Sequence, residues 1–92
     1  MIENKDFLLI NVHIPLEGNI PRTDLEIPFD DIPAYLDLLP ADKDEKIVVY
    51  CKGNSMSLSA AEELVAFGYT NVFNLDGGYT AWIEAGFPFD NE

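Results

Sequence analysis

Four successive apolar residues, Ile47-Val48-Val49-Tyr50, stand directly before Cys51, the only cysteine of the chain. A run this short, continuous and rich in β-branched side chains suits a strand covered on both faces. A small polar loop follows, Lys52-Gly53-Asn54-Ser55-Met56, and then a helical pattern with Leu58, Ala61, Leu64 and Val65 apolar. Ser57 is placed to cap that helix and Gly68 to end it. The unit therefore predicts Cys51 at the carboxyl end of a central strand, facing a helix N-terminus. In open α/β sheets that crevice is where ligands bind.

The remainder of the chain repeats the alternation. Phe7-Leu8-Leu9-Ile10-Asn11-Val12 reads as a second strand buried on both faces. Residues 13–24, with two prolines and a glycine, read as an irregular loop. Leu25-Glu26-Ile27 is a short strand ended by Pro28, and Asp30 or Asp31 can cap a helix carrying Ile32, Tyr35, Leu36 and Leu39. A further strand over Asn71–Leu75 meets Asp76-Gly77-Gly78, whose glycines suit unusual dihedrals or close passage of another element. A last helix over 79–85 sets Trp82 into the core. The pattern predicts an α/β fold with a mainly parallel central sheet flanked by helices. At 92 residues the chain is expected to form a single domain, 1–92.

Seventeen acidic residues against five basic ones give a net charge of −12, which disfavours nucleic acid and anionic membranes as partners. No apolar run reaches the length of a membrane span. A cytoplasmic location is the default expectation, with an exported or anchored precursor whose leader has been trimmed as the alternative. One cysteine makes no internal disulfide, and Cys51 with the lone His13 builds no zinc site. Two readings of Cys51 stand side by side. A helix N-terminus, inward-turned N–H groups around Gly53 and Asn54, and the charge of Lys52 would favour a thiolate. Alternatively, Cys51 is a small apolar residue closing a core strand.

Four segments resemble the rhodanese domain, a sulfurtransferase module: LLINVH, the G-x-I-P loop Gly18-Asn19-Ile20-Pro21, the strand-Cys-loop-Ser-helix unit, and NVFNLDGGYTAWIEAG. They span residues 7 to 88. The resemblance implies that Cys51 takes sulfur from a donor as a persulfide and passes it to a thiol or cyanide. It also implies that the N–H groups from Lys52, Gly53, Asn54, Ser55 and Met56 to Ser57 cradle that persulfide, with no metal or organic cofactor. Members often carry a strand and helix ahead of the segment at Phe7, and only six residues precede it here.

Departures bear on the donor. Met56 replaces the arginine common at the end of the loop, Asn11 and His13 stand where an acid and an arginine are usual, and Asn19 replaces a histidine. Arg22 is a candidate to restore a positive charge, though its place relative to Cys51 is not set by the sequence. Without the loop arginine a dianion loses a bidentate contact, so a neutral or protein-bound persulfide is easier to accept than thiosulfate. Related phosphatases of this fold need arginine at position 57, where serine stands. Thioredoxin-like chemistry needs a second cysteine at position 54, which is asparagine. His13 is read as a structural loop residue in preference to an acid or base. The alternative to a sulfurtransferase is a non-catalytic rhodanese-like module that binds a protein partner at its loop face.

Overall fold

The two apolar runs lie side by side as the middle strands of a four-stranded sheet. The computed structural model of the protein describes residues 7–14, 18–20, 23–87 and 89. Their elements are β1 (Leu8–Asn11), β2 (Leu25–Glu26), a 3₁₀ helix (Ile32–Leu38), β3 (Ile47–Tyr50), α1 (Ser55–Ala66), β4 (Val72–Asn74) and α2 (Gly78–Glu84). The strand order is β2-β1-β3-β4, and all three pairings are parallel. β1 is the first element among the described residues. The polar lead at 1–6, Pro21 and Arg22 lie outside them.

Strand periodicity divides the core in two. Ile10, Val12, Ile47, Val49 and Cys51 pack on one face with Ile32, Leu39, Ala60 and Leu64. Leu9 and Tyr50 pack on the other with Ile20 and Tyr79, flanked by Val48, Leu75 and Trp82. The middle strands are thus covered on both faces, as their unbroken apolar character requires.

Three expectations need correction. The segment after Asp31 is a 3₁₀ helix, and the Asp31 side chain makes no capping bond. Pro33 stands in its first turn and Pro40 just beyond its end. α1 begins at Ser55 with Asn54 at its N-cap, so Ser57 lies in the third helical position instead of capping. The buried face differs as well. Ser57, Ala60 and Leu64 face the sheet, while Leu58 and Val65, expected in the core, are 48% and 57% exposed. Small residues at 57 and 60 let the helix approach the strands closely. Finally, Trp82 is only half-buried and lies against Phe87, with ring centroids 4.6 Å apart. The buried anchor of α2 is Tyr79.

Candidate active site

From β1 the chain passes to β2 on one side, and β3 and β4 lie on the other, so the order reverses between β1 and β3. The crevice of such a sheet opens beyond the carboxyl ends of those two strands. Asn11 pairs with Tyr50 there, and the Val12 N–H donates to the Tyr50 carbonyl at 2.9 Å. Cys51 is the next residue of β3's chain. In phase with Ile47 and Val49, it turns its side chain to the α1 face and is buried.

Two helix N-termini meet the loop after Cys51. From α1, the Ser57 N–H donates to Cys51 Sγ at 3.4 Å. From α2, the Tyr79 and Thr80 N–H groups donate to the carbonyls of Cys51 and Lys52 at 3.0 and 3.1 Å. Both carbonyls therefore point at α2, and the trans peptides turn the Lys52 and Gly53 N–H groups away from it. Gly78 explains the paired glycines. Its φ is +57°, and a Cβ there would overlap the carbonyl oxygens of Cys51, Lys52 and Gly53. Gly77, at φ +81°, donates its N–H to Asn54 Oδ1 at 3.0 Å.

Around the sulfur lies a chain of small polar groups. Cys51 Sγ is 3.4 Å from Ser57 Oγ, and Ser57 Oγ makes a short hydrogen bond to Asn74 Oδ1. Asn74 Nδ2 donates to Asn54 Oδ1 at 3.0 Å, and Asn54 Nδ2 donates to Asp76 Oδ1 at 3.2 Å. Ser57 is buried, so these partners satisfy a hydroxyl that has no water available. Asn74 at the end of β4 was not singled out from sequence. Its one legible signal was a polar residue between apolar Phe73 and Leu75.

The loop residues named from sequence are brought to one place but differ in exposure. Lys52 and Ser55 are exposed, Gly53, Asn54 and Met56 are half-buried, and Ser57 is enclosed. Met56 packs against the core cluster that contains Cys51. Charge is unevenly spread. Lys43 and Lys46 stand before β3, where Lys43 reaches the Phe67 carbonyl at 3.3 Å and Lys46 lies over the Phe73 ring. They are at the far end of the strand from Cys51. Among the described basic residues, only Lys52 is at the cysteine end.

On the opposite face, Asn11 and Asn19 join a hydrogen-bond network that ends at the Glu26 carboxylate. Buried Asn11 donates through Nδ2 to the Gly18 carbonyl at 2.8 Å and to Asn19 Oδ1 at 2.9 Å, and accepts the His13 N–H at 3.0 Å. Asn19 Nδ2 donates to Glu26 at 2.6 Å. The Tyr50 hydroxyl accepts the Ile20 N–H at 3.0 Å and pairs with Thr23 at 2.8 Å. Burial pushes the Tyr50 phenol up from its ordinary value, against the lowering by those hydrogen bonds. His13 packs edge-on against Tyr79, with centroids 5.6 Å apart. It also lines a cavity of about 200 Å³ with Asn11, Glu26, Pro28 and Tyr35, and Cys51 is not among the walls. No group of three or more metal-ligating side chains is gathered among the described residues.

The family model for the rhodanese-like domain matches residues 9–85. The chain belongs to the rhodanese-like domain family. This rhodanese-like domain is 35% identical over 91 residues to a sulfurtransferase of Allochromatium vinosum, covering 96% of the chain and 82% of that protein. It is 47% identical over 55 residues to thiosulfate sulfurtransferase 18 of Arabidopsis thaliana, covering 60% of the chain and 38% of the relative. Among solved structures, a rhodanese-related protein of Thermoplasma volcanium superposes with a TM-score of 0.79 at 29% identity, covering 95% of this chain and 86% of that one. The parallel sheet flanked by helices is the fold these share. No helix among the described residues is long and apolar enough to cross a membrane.

Proposed function

We propose that this rhodanese-like domain is a sulfurtransferase that works as a single domain through a persulfide on Cys51. The Cys51 thiolate attacks the outer sulfur of a sulfane donor. A new S–S bond forms, the donor's own S–S bond breaks, and the electron pair leaves on the donor fragment, which is sulfite when the donor is thiosulfate. A thiol or cyanide acceptor then attacks the terminal sulfur and returns Cys51 as a thiolate. The observation that carries this reading is the convergence of two helix N-termini on one loop. α1 supplies an N–H to Cys51 Sγ, and α2 holds the loop carbonyls so that the Lys52 and Gly53 N–H groups face away from it. The Ser57 N–H is a fixed donor at that sulfur, and such a donor stabilises an anion there.

The distribution of charge bears on the donor. With Met56 in the arginine position, a lone described cation at this end, and Glu26 and Asp76 ending the neighbouring segments, a dianion gains little here. A neutral donor or a persulfide carried by a partner protein suits the site better than thiosulfate. The second reading, a module that binds a partner through the loop face without transferring sulfur, is favoured by the near-complete burial of Cys51, 2% exposed. Thiocyanate formation from cyanide and a polysulfide donor separates the two. The transferase forms thiocyanate catalytically and loses it in Cys51→Ser, whereas the module gives only the background rate with either chain.

A further inference from the structure

The direction of one proton beside Cys51 follows from a backbone group two side chains away. The Gly77 N–H can only donate, so the Asn54 atom it meets at 3.0 Å is the carbonyl oxygen Oδ1. That same oxygen faces Asn74 at 3.0 Å, so Asn74 presents its NH₂ group there. The amide of Asn74 is thereby fixed, and its own oxygen faces Ser57 Oγ in the short hydrogen bond. An amide oxygen only accepts, so the single hydroxyl proton of Ser57 lies on the Asn74 side. The other acceptor near Ser57 Oγ, the Asn54 carbonyl at 3.1 Å, already receives the Leu58 N–H at 2.9 Å and also points the proton away from sulfur. What Ser57 offers Cys51 at 3.4 Å is a lone pair, and Cys51 S–H is the donor of that bond.

We propose that Asn74 is a positioning residue for the sulfur chemistry, acting through the Ser57 hydroxyl. While Asn74 holds that proton, Ser57 favours the neutral thiol and opposes the anion. The Ser57 N–H, which donates to sulfur from the first turn of α1, works in the other direction. The reactive anion is therefore favoured further when Ser57 turns its proton from Asn74 to sulfur. The Asn54–Asn74–Gly77 bonds tie this step to the loop and to the start of α2, so a donor or partner that displaces the loop also releases the proton. This rests on Cys51 being the sulfur-transferring group, but the proton's direction is testable whether or not sulfur is transferred.

Cys51 is the only cysteine, so the protein has a single S–H stretching band. That band is expected at a hydrogen-bonded, lowered frequency in the unaltered protein, and at the free-thiol position in Ser57→Ala. A second measurement follows alkylation by iodoacetamide at neutral pH. Asn74→Val leaves the Ser57 hydroxyl able to donate to the sulfur anion, and a hydrogen bond to a charged group is large enough to raise the rate about tenfold. Asn74→Asp keeps an acceptor for the hydroxyl and gives no acceleration. In Asn74→Val combined with Ser57→Ala the acceleration disappears, which a mere loosening of the loop would not produce. An S–H band unaffected by Ser57→Ala overturns the inference. So does an Asn74→Val protein with normal melting and no acceleration, or an acceleration that survives removal of the Ser57 hydroxyl.

Discussion

Tyr50 carries a phenol into the face of the sheet that Tyr79 covers, where it meets the Ile20 N–H and Thr23. Burial holds the phenol above its ordinary value of 10.0, so the neutral form is the one the fold retains. A group raised on folding contributes stability that is fully present below its unfolded value and is lost as pH climbs through the folded one. Melting measured above pH 10 is therefore expected to fall for the unaltered protein and to flatten for Tyr50→Phe. At neutral pH Tyr50→Phe costs about 1–3 kcal/mol, because the Ile20 N–H loses its acceptor. A flat alkaline limb in both proteins would show the phenol to be freely ionisable. Gly78 is a second sensitive position. Gly78→Ala forces its methyl into three loop carbonyls, and a loss of about 1–3 kcal/mol or more in chemical denaturation is expected. Stability equal to the starting protein would mean that α2 does not seat against the loop as described.

At the scale of elements, α2 is held by Tyr79 more than by Trp82. Tyr79→Ala is expected to cost about 3–5 kcal/mol and Trp82→Ala about half that, read from denaturant midpoints. The reverse order would contradict the packing of this helix. The strands were readable because their two-sided burial leaves an unbroken apolar run, and β3 matches Ile47–Tyr50 residue for residue. The buried face of α1 was not. Apolar spacing pointed to Leu58 and Val65, whereas the helix turns Ser57 and Ala60 inward. Small side chains carry little hydrophobic signal, so close helix–sheet packing is poorly written in composition. Cys51 and its loop were legible from the strand–loop–helix pattern, and the paired glycines from their freedom of backbone. Asn74 was not, because its importance comes from a partner 17 residues away in sequence, at Ser57.

For the molecule as a whole, the sheet topology and the charge act on the same site. The order β2-β1-β3-β4 opens a crevice at the carboxyl ends of β1 and β3, and Lys43 and Lys46 stand at the opposite end of the strand. With a net charge of −12, the approach of small anions is slowed at low salt, which agrees with a donor that is neutral or delivered by a partner protein. All of this serves the claim that Cys51 carries sulfur. Intact mass spectrometry after mixing with a polysulfide, with and without cyanide, tests it most directly. The account predicts a gain of one sulfur atom on the protein, its loss on adding cyanide, and no gain in Cys51→Ser. A protein whose mass stays unchanged, or a sulfur adduct that persists in Cys51→Ser, would contradict it.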